Sequence, residues 1–173
     1  MNEFTEAARL FFLGLPTHDI MGTRWMWPIC ESIHFIGLTM LIGTVGMFDL
    51  RLMGVGRQIA PADLHRLIPF GVAGFIGNVL TGICFLSGAP DQYIYNWAFR
   101  WKLVFLIIAG LNILVFYSAL FRRVRGLGPG ASIPLGARMV GAVSLAAWLG
   151  VITAGRLLTF YRPLQISPGK WVF

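Results

Sequence analysis

Acidic side chains are scarce in this chain: 7 Asp and Glu stand against 14 Lys and Arg among 173 residues, for a net charge of +7. Charged residues of both signs make up only 12% of the sequence, about half the share found in an ordinary soluble domain. Two cysteines, Cys30 and Cys84, and three histidines, His18, His34 and His65, complete a short inventory of reactive side chains. Two cysteines so far apart exclude a zinc ribbon or an iron–sulfur motif. No basic stripe with interleaved aromatics lies outside the apolar segments, so nucleic acid is not an expected partner. A nucleophile–base arrangement, a phosphate loop and a metal triad are all missing, which argues against a hydrolase or a kinase. The N-terminus carries Glu3 and Glu6 where a cleavable signal would be basic, and no small-residue cleavage site follows. The first apolar segment is therefore expected to act as its own insertion signal.

What the chain has in quantity is apolar residue, 57% of the total. A soluble protein of this length would have to expose large sticky patches to carry it. Crossing the hydrocarbon of a bilayer takes roughly 20 helical residues, and four stretches qualify, at about 27–53, 67–86, 99–121 and 139–160. Pro61, Pro90 and Pro134 fall in the connectors, where a missing amide hydrogen does little harm. The runs are too long and too uniformly apolar for barrel strands. The expected fold is all-α: one four-span integral membrane helix bundle filling residues 1–173. Residues 3–15 differ, because Phe4, Ala7, Ala8, Phe11, Phe12 and Leu15 share one helical face while Glu3, Glu6 and Arg9 point away. That pattern predicts a short amphipathic helix lying in the membrane interface.

The first and third connectors, with their flanking helix ends, hold Arg51, Arg57, Arg66, Arg122, Arg123, Arg125 and Arg138, against Arg100 alone at the middle one. By the positive-inside rule both termini and the middle connector are expected outside a bacterial inner membrane. Trp25, Trp27, Tyr93, Tyr95, Trp97, Trp101 and Trp171 then form an aromatic belt on that outer face. Ala142, Ala146, Gly150 and Ala154 on the fourth span, and Gly71, Gly74 and Gly77 on the second, read as close-packing stripes.

A rise of 1.5 Å per residue converts position into depth. Glu31 and His34 then lie one to two turns in from the start of the first span, with Lys102 at similar depth on the third and Arg156 on the fourth. Thr81, Cys84 and Asn78 reach nearby levels on the second span. An isolated charge in lipid costs at least a few kcal/mol, so the group is expected to turn inward. Lys102 also opposes the helix dipole at an N-terminus, and Glu31 is its expected counter-charge. Such a set can be a buried ion-pair network, a redox cofactor site, or a proton or solute path. As a redox site it suits heme b, with His34 on the iron, Lys102 and Arg156 neutralising the anionic groups and Glu31 as a further cofactor-binding residue; a quinone headgroup would use the same donors. His18 is a candidate second ligand, as are Met21 and Met26. At the opposite end Asp49 is expected to pair with an arginine of the second or fourth span, and His65 to be interfacial. Cys30 and Cys84 lie at similar depth, with free buried thiols the expected state. Lipid and either a second copy or a larger membrane complex are the expected partners.

The stretches WPICESIHFIGLTMLIGTVGMFDLRLMG, GAPDQYIYNWAFRWK and GAVSLAAWLGVITAGR resemble a family of small bacterial four-span membrane proteins catalogued as a domain of unknown function. The resemblance rests on Glu31, Ser32, His34 and Phe35, on Asp49, Leu50, Arg51 and Leu52, and on Trp148, Gly150, Gly155 and Arg156. It implies the four-span fold and no particular activity.

Overall fold

The computed structural model describes residues 3–161 in full and the backbone of 164–167 and 170–172. Arg162 and the side chains of Lys170 and Trp171 lie outside the described residues. Helices α1 (Glu3–Leu13), α2 (Pro16–Met21), α3 (Met26–Met53), α4 (Pro61–His65), α5 (Ile68–Gly88), α6 (Pro90–Ile94) and α7 (Trp97–Val115) follow one another. A π-helical segment, Phe116–Leu120, joins α7 to α8 (Phe121–Arg125), and α9 (Leu135–Leu157) completes the bundle. Beyond it, Leu164–Ser167 (β1) and Lys170–Val172 (β2) pair as a small antiparallel ribbon.

Helices α3, α4–α5, α7–α8 and α9 are long and apolar enough to cross a membrane. Among the described residues only 11–33% of the most apolar window of each is buried inside the protein. The exposed remainder, including Phe35, Ile36, Leu80, Ile107 and Leu114, is the surface that lipid covers. The protein is an all-α integral membrane four-helix bundle.

Proline sets the starts of the short helices, since Pro16, Pro61 and Pro90 open α2, α4 and α6, where the missing amide hydrogen has no helical partner to lose. Helix α3 ends at Gly54, whose φ of +104° is the left-handed cap conformation that glycine adopts without strain. Buried Arg51 then closes the turn, its Nε donating to the Ile59 carbonyl at 2.6 Å and its Nη2 to Arg57 at 3.4 Å. The Asn96 side chain caps α7 by accepting from the Ala98 amide at 2.9 Å, and its Nδ2 donates to the Tyr161 carbonyl at 3.0 Å. That side chain ties the start of α7 to the end of α9.

Helices α3 and α9 form the middle pair, with α5 against α3 and α7 against α9. The α3–α5 crossing is closest at Gly37 and Gly74, where a Cβ on either would collide with the other's carbonyl oxygen. Gly71 meets Thr44 in the same way, whereas a Cβ on Gly77 would come no closer than 4.0 Å to Ile33. The expected stripe on α9 is only partly used. Gly150 packs against the Phe105 ring and Ala154 is buried, but Ala146 is exposed. The face of α9 that meets α3 is instead Ala137, Gly141, Ser144, Trp148 and Val151, with Gly141 against the Asp49 carbonyl.

Helix α1 does more than float on the interface. Arg9 Nε donates to Asp91 of α6 at 2.6 Å and its Nη1 contacts Glu6 at 3.2 Å. The Tyr95 hydroxyl donates to Glu6 at 3.3 Å. Glu6 and Arg9, expected to face away, are among the residues that bind α1 to the bundle.

Candidate functional site

The end of the bundle at which α3 begins, here the near end, carries His34 on the α3 face that packs against α5. The inward residues of α3 recur at Cys30, His34, Gly37 and Leu41, the spacing of one helical face. His34 Nδ1 lies 2.7 Å from Thr81 Oγ1 on α5, while that hydroxyl donates its own hydrogen to the Gly77 carbonyl at 2.8 Å. A hydroxyl has one hydrogen to give, so with that hydrogen on the Gly77 carbonyl Nδ1 is the donor in the first contact. Nε2 therefore keeps its lone pair. His18 of α2 is held alike, its Nδ1 2.7 Å from the Ser87 carbonyl; a carbonyl only accepts, so His18 Nε2 is free as well. Two half-buried imidazoles are thus fixed on α5 in the same tautomer.

Asn78 and Phe85 complete the wall. With the Asn78 amide nitrogen turned toward α3, it donates to the His34 carbonyl at 2.6 Å and its oxygen accepts from the Leu38 amide at 3.1 Å. The Phe85 ring stands edge-on to His34 at 5.6 Å and stacks on Trp27 at 5.4 Å.

Lys102 lies on the inward face of α7, in the row Ala98, Lys102, Phe105, Ala109. Its ammonium reaches across to α9, 3.9 Å from where a Cβ on Gly155 would stand, and its charge acts on the His34 ring. Glu31 does not meet it. Among the described residues the ion pairs are Arg9–Glu6, Arg9–Asp91 and Arg66–Asp63, and Glu31 is exposed. Three residues turn a helix by about 300°, which leaves Glu31 some 60° off His34, past the edge of the packed face. Arg156 is also exposed and lies over the Phe160 ring at 5.6 Å. Of the expected cluster, His34, Thr81 and Asn78 come together and Lys102 turns inward against Gly155 of α9, while Glu31 and Arg156 are exposed.

The far end has a second polar centre. Asp49 is 3% exposed, but it faces Ser144 of α9 and has no arginine partner, and its Oδ2 has no hydrogen-bond partner among the described residues. The expected ion pair with an arginine of α5 or α9 does not form, because Arg66 turns to Asp63 and Arg138 of α9 is exposed. His65 is half-buried and meets the Tyr117 hydroxyl at 3.0 Å, beside a cavity of about 340 Å³ lined by Phe48, Pro61, Phe121 and Arg125. Tyr117 sits in the π-helical segment. Sequence reasoning missed it, because a π turn has no apolar periodicity of its own and the residue reads as one more lipid-facing aromatic.

Fold and site define a small four-span membrane protein with an imidazole and a half-buried ammonium at one end. The chain belongs to the family of unknown function DUF6644, which matches residues 3–161. No curated protein and no solved structure matches it.

Proposed function

We propose that the near end is a heme b site in a small membrane redox protein. His34 and His18 would hold the iron, and Lys102 would pair with a propionate. The observation that carries this reading is the hydrogen-bond chain His34 Nδ1–H to Thr81 to the Gly77 carbonyl. It presents Nε2 as a free ligand nitrogen, the arrangement by which outer-shell partners orient metal-bound histidines. Lys102 adds a half-buried cation with no carboxylate on it among the described residues, and such a cation calls for a negative group. The heme, when bound, supplies one-electron transfer. Thr81 holds the His34 ring in register, Phe85 walls the site from the side of α5, and Arg156 is a second cation at the surface. With the arginine-rich connectors inside, this end faces the outer side of a bacterial inner membrane.

The test is the visible spectrum of the protein purified from heme-replete cells, oxidised and dithionite-reduced. A Soret band is expected, lost in His34→Ala and shifted or weakened in Lys102→Met, with both variants still folded. A colourless wild type would overturn the heme reading. Quinone co-purifying with such a colourless protein would assign the same donors to a quinone headgroup. A non-catalytic subunit of a larger complex would yield neither. The ion-pair network that would make these residues mere structural glue loses its main support, because Glu31 faces away from Lys102.

A further inference from the structure

Three sulfur atoms meet at the near end, apart from the imidazoles. Met21, the last residue of α2, is 1% exposed, and Cys30 of α3 is 4% exposed. Cys30 Sγ lies 3.9 Å from Met21 Sδ. Cys84 of α5 packs against the same cluster. Both cysteines are free. Gly88 makes the meeting possible: a Cβ there would stand 2.9 Å from Met21 Cβ and 3.2 Å from the Trp27 ring, so any larger residue would lift α2 off α5.

Two thiols and a thioether are soft donors, the set that selects Cu(I) among biological metals. Among the described residues no group of three or more His, Cys, Asp or Glu could hold a metal ion, so the four-ligand set of a zinc site is not assembled. Metal–sulfur bonds of about 2.3 Å in a trigonal plane place the sulfurs about 4.0 Å apart, √3 times the bond. The 3.9 Å between Cys30 and Met21 is such an edge, already formed. Cys84, only partly buried, leaves an approach for the ion. Binding displaces both thiol protons, because a cysteine ligates as its thiolate, and leaves the site with one net negative charge. Neither metal nor sulfur changes oxidation state.

We propose that Met21, Cys30 and Cys84 form a trigonal Cu(I) site, distinct from the His34 site. The experiment is an anaerobic Cu(I) titration of the reduced full-length protein against bicinchoninate. One Cu(I) per chain is expected to resist the competitor, with an absorption-edge spectrum of a three-sulfur shell. Cys30→Ser and Cys84→Ser should each lose that ion. Met21→Leu, which conserves volume and so keeps the fold, should bind at least tenfold more weakly. Competitor-resistant copper missing from the wild type would overturn the proposal. So would copper retained by both serine variants, or wild-type affinity in Met21→Leu.

Discussion

Arg9 bridges α1 to the middle connector, with side chains 31% and 21% exposed across the Arg9–Asp91 pair. The hydrogen bond to Asp91 holds the guanidinium protonated more firmly than usual. A partly exposed pair of this kind contributes about 1 kcal/mol after solvent screening. Arg9→Ala or Asp91→Asn should therefore free α1 without unfolding the bundle. Hydrogen exchange of residues 3–13 would report this; unchanged protection would show that the apolar face alone holds the helix. Tyr95 gives the same contact a pH limit. Burial first, and the Glu6 carboxylate second, push its phenol above the ordinary value of 10.0. A raised pKa means that the neutral form is favoured in the folded state. The contribution is full below pH 10 and is lost as pH rises through the folded value. Exchange in α1 should accelerate in that alkaline window, and less so in Tyr95→Phe, which has nothing to titrate.

Among the elements, the α3–α5 crossing places His34 against Thr81, and glycine permits it. A Cβ at Gly37 would lie 2.6 Å from the Gly74 carbonyl oxygen and 2.9 Å from the Asn78 side-chain amide. Gly37→Ala should cost about 1–3 kcal/mol by overpacking. Gly43→Ala on the same helix, with nothing within 4 Å, should be neutral or stabilising by up to about 1 kcal/mol. Thermal unfolding in detergent separates the two; equal midpoints would mean that the crossing is looser than its geometry. The turn after α3 depends on Arg51 in a similar way. Arg51→Ala removes a charged donor from two loop carbonyls, a loss of about 1.5–3 kcal/mol, and should increase proteolysis between residues 54 and 60.

For the molecule as a whole, orientation decides which compartment the near-end site addresses. With the arginines gathered at the first and third connectors, a periplasm-active reporter fused after Phe173 should be active and a cytoplasm-active one silent. The reverse result would move the His34 site to the cytoplasmic side while leaving its geometry untouched. Helix α7 buries the least of itself, 11% of its most apolar window, so it offers the broadest face to lipid or to a partner helix.

The all-helical class and the four membrane-crossing helices were legible in the sequence, because hydrophobic run length is a one-dimensional quantity. Helix α9 runs from Leu135 to Leu157 rather than from about 139 to 160, since an apolar window skips the Arg138 turn that Pro134 allows to form. Direction around each helix was not legible. Apolar residues are spread evenly around α3 and α7, as befits helices immersed in lipid, so no stripe in the sequence marks the inward face. Only the packed neighbours decide that Lys102 turns in while Glu31 and Arg156 turn out. The same holds for Met21, Cys30 and Cys84, which lie on three helices and meet only because Gly88 lets α2 settle against α5.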